Sequence, residues 1–122
     1  MMNKYGFEEN AWETAKTQAT AVLRSYAKRR QMIPYSEFVT HVHAIKFEGP
    51  HDMRLRYFLG EISVAESEAG RGMLTALVVH KQGDYQPGPG FFELARELGH
   101  DASDIEKFWV QEVKKVFAAN AS

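Results

Sequence analysis

Apolar residues recur at helical spacing in several stretches of the chain and run together in one. Trp12, Ala15, Ala19, Val22, Leu23 and Tyr26 stand three and four apart, which is one stripe of a long helix. Its other face carries Glu13, Lys16, Gln18, Thr20 and Arg24. Glu8, Glu9 and Glu13 lie at the front and Lys28, Arg29 and Arg30 at the back, the order that the helix dipole favours. Pro34 disfavours helical geometry at Ile33, so this helix should end near Arg30 or Gln31. Met32 and Ile33 read as a short extended stretch. Phe38, Val39 and Val42 share one face of a brief helix opened by Tyr35 or Ser36. After the Gly49-Pro50 turn, Asp52 is a good cap for a helix with the apolar face Leu55, Phe58, Leu59 and Ile62. Gly60 falls inside that pattern as a candidate kink, and Gly70 should end it.

Residues 73–80, MLTALVVH, are the best strand in the chain: short, apolar, β-branched at Thr75, Val78 and Val79, and flanked by Gly72 and Gly83. Such a run is usually buried on both faces. Residues 81–90 are turn chemistry throughout. Residues 91–98 form a helix stopped by Gly99, and Ser103-Asp104-Ile105-Glu106 is a capping box opening the last one. Ile105, Phe108, Trp109, Val113, Val116 and Phe117 are its core stripe. The expected fold class is α+β and mostly helical: a small winged-helix-like single domain, residues 1–122, with a short β element. Residues 73–80 would be its main strand and residues 81–90 the wing or an equivalent loop.

Composition narrows the function classes. A length of 122 residues suits one domain, and eight Phe, five Tyr and two Trp supply a core that argues against long disorder. Fifteen Lys and Arg against 16 Asp and Glu give a net charge of −1, so any nucleic-acid contact needs a local basic patch. The absence of Cys excludes disulfides, a thiol nucleophile and thiolate metal sites. No apolar run approaches the ~20 residues of a membrane helix, and MMNKYGFEEN has no signal-peptide stretch. The expected location is cytoplasmic, with no membrane partner and no cofactor.

Residues 33–38 (IPYSEF), 54–63 (RLRYFLGEIS) and 73–90 (MLTALVVHKQGDYQPGPG) are similar in order to the winged-helix half of alkyltransferase-like proteins. In that family a Thr-Tyr-Gly-Glu element opens a helix, a second helix reads DNA, and a Pro-(Cys or Trp)-His-Arg-Val-Val strand borders the lesion pocket. Tyr35-Ser36-Glu37-Phe38 matches the first element, and Leu77-Val78-Val79 the end of the strand. Residues 74–76 read Leu-Thr-Ala in place of the reactive box. The resemblance covers about half the chain and implies a winged-helix topology. The whole chain also resembles an uncharacterised group of small bacterial proteins with the pattern G-R-x-M-L-(T/S)-A-L-V-V … P-G-x-G-F-F, which implies no activity.

Five groups of residues invite chemistry. Arg24, Lys28, Arg29 and Arg30, joined by Lys46, Arg54 and Arg56, would neutralise phosphates if they shared a surface. On a recognition helix, Arg54 and Arg56 would reach base edges or phosphates, with Arg71 and Lys81 beside the hairpin. The plain alternative is that cations at a helix C-terminus complement its dipole. Second, Gly70-Arg71-Gly72 and Pro87-Gly88-Pro89-Gly90 flank the strand. A helix N-terminus fronted by glycine accepts an anion, which makes Arg71, His80, Gly88 and Gly90 a candidate phosphate, nucleotide or carboxylate site. Turn geometry alone also explains these glycines. Third, His41, His43 and His51 would serve a metal only if His41 and His43 shared a strand face, and the pattern makes that region helical. No metal site is expected. Fourth, Glu61, Glu66 and Glu68 precede Lys81, but Val79 stands where an acid-acid-x-Lys nuclease needs its carboxylate. Glu61 and Glu68 then read as a solvated helix face. Fifth, Phe91, Phe92, Phe108, Trp109 and Phe117 have the spacing of a core, not of a base-stacking surface.

No catalytic nucleophile motif is present. The expected function is a non-enzymatic binding module that contacts DNA through a winged-helix-like surface. The alternatives are a small-anion or nucleotide site, with or without catalysis, and a regulator or inhibitor that binds a protein partner. Oligomeric state is left open.

Overall fold

Trp12, Ala15, Ala19, Leu23 and Ala27 are buried along one side of α1 (Glu9–Lys28) in the computed structural model, which describes residues 3–49, 51–81 and 86–121. The periodicity of the sequence thus gives the packed face directly. Tyr35–Phe38 forms the short α2, extended by a 3₁₀ turn at Val39–His41. Met53–Glu68 is α3, Pro89–Glu97 is α4 and Ile105–Ala119 is α5. Four two-residue strands complete the described elements: β1 (Asn3–Lys4), β2 (Phe7–Glu8), β3 (Ile33–Pro34) and β4 (Val78–Val79). The architecture is mostly helical with a small β content. No helix among the described residues is long and apolar enough to cross a membrane.

The helix ends follow local chemistry. Asp52 caps α3 by accepting the Arg54 N–H, and Asp104 caps α5 by accepting the Lys107 N–H. The three helices α1, α3 and α4 close with one motif. The residue after the C-cap takes positive φ (Arg30 at 55°, Gly70 at 80°, Gly99 at 90°). The next N–H then reaches back to the carbonyl five residues earlier: Gln31 to Tyr26, Arg71 to Glu66 and His100 to Ala95. Gly60 does not kink α3. The helix runs through it unbroken, and Gly60 faces Leu94.

The strand expected over residues 73–80 is corrected. Leu74–Leu77 is a 3₁₀ turn, and only Val78–Val79 is paired, in parallel with Ile33–Pro34. The reason is where the segment runs. Met73 to Val79 are all at most 5% exposed, and the 3₁₀ turn packs against α1, α3 and α5. An apolar run surrounded by helices has the hydrophobicity of a buried strand without a strand partner, and periodicity cannot separate the two. Its backbone groups are satisfied by side chains reaching inward. Met73 N–H donates to Glu112 Oε2 at 2.8 Å, Thr75 N–H to Ser63 Oγ at 3.2 Å, and Trp109 Nε1–H to the Ala76 carbonyl at 2.8 Å.

The described part of residues 81–90 shows no antiparallel hairpin, and residues 82–85, inside the expected wing, lie outside the described residues. His80 N–H donates to the Gln86 carbonyl across that gap at 2.9 Å. A hairpin not expected from the sequence pairs β1 with β2 through Tyr5 and Gly6, both at positive φ. That is the geometry of a tight two-residue turn. It lays Phe7 on Trp12 and Phe47, and Trp12 meets Phe58 edge-on at 5.1 Å.

Candidate functional site

Helices α3 and α4 lie side by side and parallel: Arg56 packs over Gly90, and Gly60 faces Leu94. A groove of about 930 Å³ runs along this pair, bordered also by Tyr5, Tyr35 and His80. Because the helices are parallel, their positive N-terminal ends share one end of the groove and their negative ends the other.

At the positive end, several hydrogen-bonding groups converge. Tyr35 Oη accepts the Gly88 N–H at 3.0 Å, which leaves its own proton free to donate. Burial raises the Tyr35 pKa above its ordinary value, and the Gly88 bond opposes this only in part. The phenol is therefore neutral and a donor at neutral pH. His80 is exposed and its ring centre lies 4.7 Å from that of Tyr35. A Cβ on Gly88 would come within 3.1 Å of His80 Nε2, and one on Gly90 within 3.0 Å of Arg56 Nε. Glycine at both positions thus lets the two side chains lie against the backbone. Gly88 is the N-cap of α4 and provides no side-chain cap. Arg56 pairs with Glu93, both half-exposed. His80 also borders a second cavity, of about 490 Å³, on the other side of the α4 N-terminus with Phe92 and Arg96.

Of the anion-site residues read from the sequence, His80, Gly88 and Gly90 come together here, and Arg71 does not. Arg71 donates to Glu66 at 2.7 Å, and Arg24 donates to the same oxygen at 2.9 Å. Burial alone would raise the Glu66 pKa, but the two guanidinium groups outweigh it and hold the carboxyl below its usual range. Arg54 is held by Asp52 and lies 4.2 Å from the Phe7 ring centre. Asp52 is accordingly kept well below the usual carboxylate range, chiefly by the Arg54 hydrogen bonds. Four of the arginines expected to meet DNA are thus engaged with carboxylates. Lys28, Arg29 and Arg30 are exposed at the end of α1, with Arg29 over the Tyr26 ring at 4.5 Å. Lys81 is exposed next to the residues not described.

One other reading changes. Glu61 does not merely solvate a helix: it accepts from Trp12 Nε1 at 2.9 Å and pairs with Lys16 and Lys4. Burial would raise its pKa, but those donors prevail and lower it. Glu66, on the same helix, is almost wholly buried. Its signal in the sequence was the arginine five residues on, across the glycine turn. His41 packs edge-on to Tyr26, and the described residues contain no group of three metal-ligating side chains.

Among the described residues, fold and groove together define a mostly helical α+β protein with a large open groove between parallel helices. Comparison of the chain with protein families, curated proteins and solved structures finds no match.

Proposed function

We propose that this protein is a non-enzymatic binding module that takes a phosphate- or carboxylate-bearing ligand at the positive end of the α3–α4 groove. The observation that carries this is the convergence of Tyr35, Arg56, His80 and the α4 N-terminus on one cavity. Such a setting, apolar walls with a few convergent polar groups, is the usual form of a small-molecule site. Arg56 supplies the charge, the Tyr35 hydroxyl and the Gly90 N–H supply donors, and the helix dipole adds to both. Glu93 is the built-in competitor for Arg56.

A second reading keeps duplex DNA as the partner, with α3 used in the manner of a winged helix. It is supported by the run Lys28, Arg29 and Arg30, which makes no ion pair with a carboxylate among the described residues. Lys81 would join them.

One titration series tests both. Inorganic phosphate, a nucleoside monophosphate and a dicarboxylate are added while the melting temperature is followed. A labelled duplex is titrated in parallel at two salt concentrations. The proposal expects a concentration-dependent rise in melting temperature with at least one anion. Arg56→Gln should abolish the rise, and Glu93→Gln should enlarge it by freeing the guanidinium. A flat response to all three anions overturns the small-anion reading. Duplex binding that weakens steeply with salt, in the same protein, would replace it with the second.

A further inference from the structure

Beyond the anion corner the groove side of α3 continues as a partly open stripe, which α4 meets at Gly60, through Leu94, and Tyr5 meets at Tyr57. Met53, Tyr57, Gly60, Val64 and Glu68 follow one another at helical spacing along the groove. Met53 is 70% exposed and Tyr57 49%. Tyr57 is stacked on Tyr5 at 4.9 Å with the rings nearly parallel. Tyr5 itself holds φ at 56°, an uncommon conformation for a bulky side chain, and is 45% exposed. That φ is what the two-residue β1–β2 turn requires, and the turn presents the ring at the groove. The stripe spans about four helical turns, or ~22 Å.

Its charges are one-sided. The cations bordering the groove are already engaged: Lys16 by Glu13 and Glu61, and Arg56 by Glu93. Glu68 and Glu97, the last residues of α3 and α4, have no cationic partner among the described residues. Both stand at the negative ends of parallel helices, where a carboxylate is least favoured. The groove therefore runs from an apolar aromatic end to an uncompensated negative end.

We infer that the outer face of α3 docks an amphipathic helix of another protein, with an apolar stripe against Tyr5, Met53 and Tyr57 and Lys or Arg residues against Glu68 and Glu97. Helix-in-groove recognition uses this combination of anchors at i, i+3, i+4 and i+7. Charge complementarity selects a cationic partner. A second copy of this chain is the poorer occupant: the exposed large apolar side chains of α5, Ile105 and Val110, stand five residues apart and so form no helical stripe beside Lys107 and Lys114. The site is distinct from the anion corner in its residues, so the two readings fail separately.

The test uses the full chain and two labelled synthetic peptides of about 16 residues. Both carry the same Leu stripe at helical spacing, one with Lys and one with Glu on its flanks. Fluorescence anisotropy is expected to show micromolar binding of the Lys peptide and at least about tenfold weaker binding of the Glu peptide. Glu68→Lys with Glu97→Lys should reverse that preference, and Tyr57→Ala should weaken the Lys peptide about tenfold. All three positions are exposed, and an unchanged far-ultraviolet circular dichroism spectrum with a cooperative melt shows that the variants remain folded. Equal affinity for the two peptides, no binding up to about 1 mM, or indifference to the charge reversal overturns the proposal. So does a concentration-dependent dimer in light scattering that Tyr57→Ala dissolves, which would give the face to a second copy.

Discussion

The inner and outer faces of α3 carry similar residue types and put them to opposite use. Inward, Phe58 is fully buried, Ser63 binds Thr75, and Glu66 takes two arginines. Outward, Tyr57 is half-exposed, and Glu68 stands without a cation among the described residues. An aromatic and a carboxylate occur on each side, one or two positions apart in sequence. Composition cannot distinguish a fold-holding residue from a ligand-meeting one here; what does is whether each polar or apolar group has found its partner within the chain.

The sharpest way to break this comparison is a pair of adjacent truncations. Phe58→Ala removes a ring that meets Trp12 and Phe47 edge-on, and should cost about 3–5 kcal/mol of stability. Tyr57→Ala should cost about 0.5–1 kcal/mol, the loss of an exposed stacked pair. Urea denaturation measures both. If the two costs are equal, the outer face is as much a part of the fold as the inner one, and its availability to a partner is lost as an argument.

Glu66→Gln comes next. The carboxylate is buried and its two arginines are each about 43% exposed, so they can turn to water when it is neutralised. The expected cost is about 2–3 kcal/mol, at or below the lower end for breaking a buried pair. The same interaction sets a pH dependence. Glu66, Glu61 and Asp52 all have pKa values lowered by folding. Their stabilisation is complete above the unfolded values, near pH 4–4.5, and is lost as pH falls through the lower folded values. Stability should therefore be level from neutrality to about pH 5 and decline below it. In Glu66→Gln the decline should be shallower, which acid titration of the unfolding free energy will show.

How far the sequence could be read depends on the range of the interaction. The stripes of α1, α3 and α5 were legible because helical periodicity is local, and Trp12, Phe58 and Val116 lie where they were expected; Ile105, read into the α5 stripe, is 40% exposed, and Asp104 in place of Ser103 caps that helix. Residues 73–79 were not, because a 3₁₀ turn wrapped by three helices and a strand have the same apolar run, and only the distant Glu112, Ser63 and Trp109 decide between them. Of the site, Gly88, Gly90 and His80 could be found from the glycine-rich turn before a helix. Tyr35, 53 residues from Gly88, could not, since nothing local announces that its hydroxyl closes that turn. The arginines were legible as charge and misleading as surface: Glu66 and Asp52 engage three of them, and that pairing lives in the fold.

The smallest effect is also the most discriminating. Glu68 is the last residue of α3, and that helix has no basic residue in its final turn. A carboxylate there opposes the helix dipole, so Glu68→Gln should stabilise the protein by about 0.3–0.5 kcal/mol. Glu66→Gln, two residues earlier, is expected to do the reverse several times over. A residue whose removal strengthens the fold is not charged in order to hold α3 in place, which leaves its carboxylate available to a partner. If Glu68→Gln destabilises instead, Glu68 belongs with Glu66 among the residues that hold α3 in place, and the negative end of the groove loses its claim on a cationic partner. Paired thermal melts at neutral pH and low ionic strength, where the dipole effect is least screened, decide between the two.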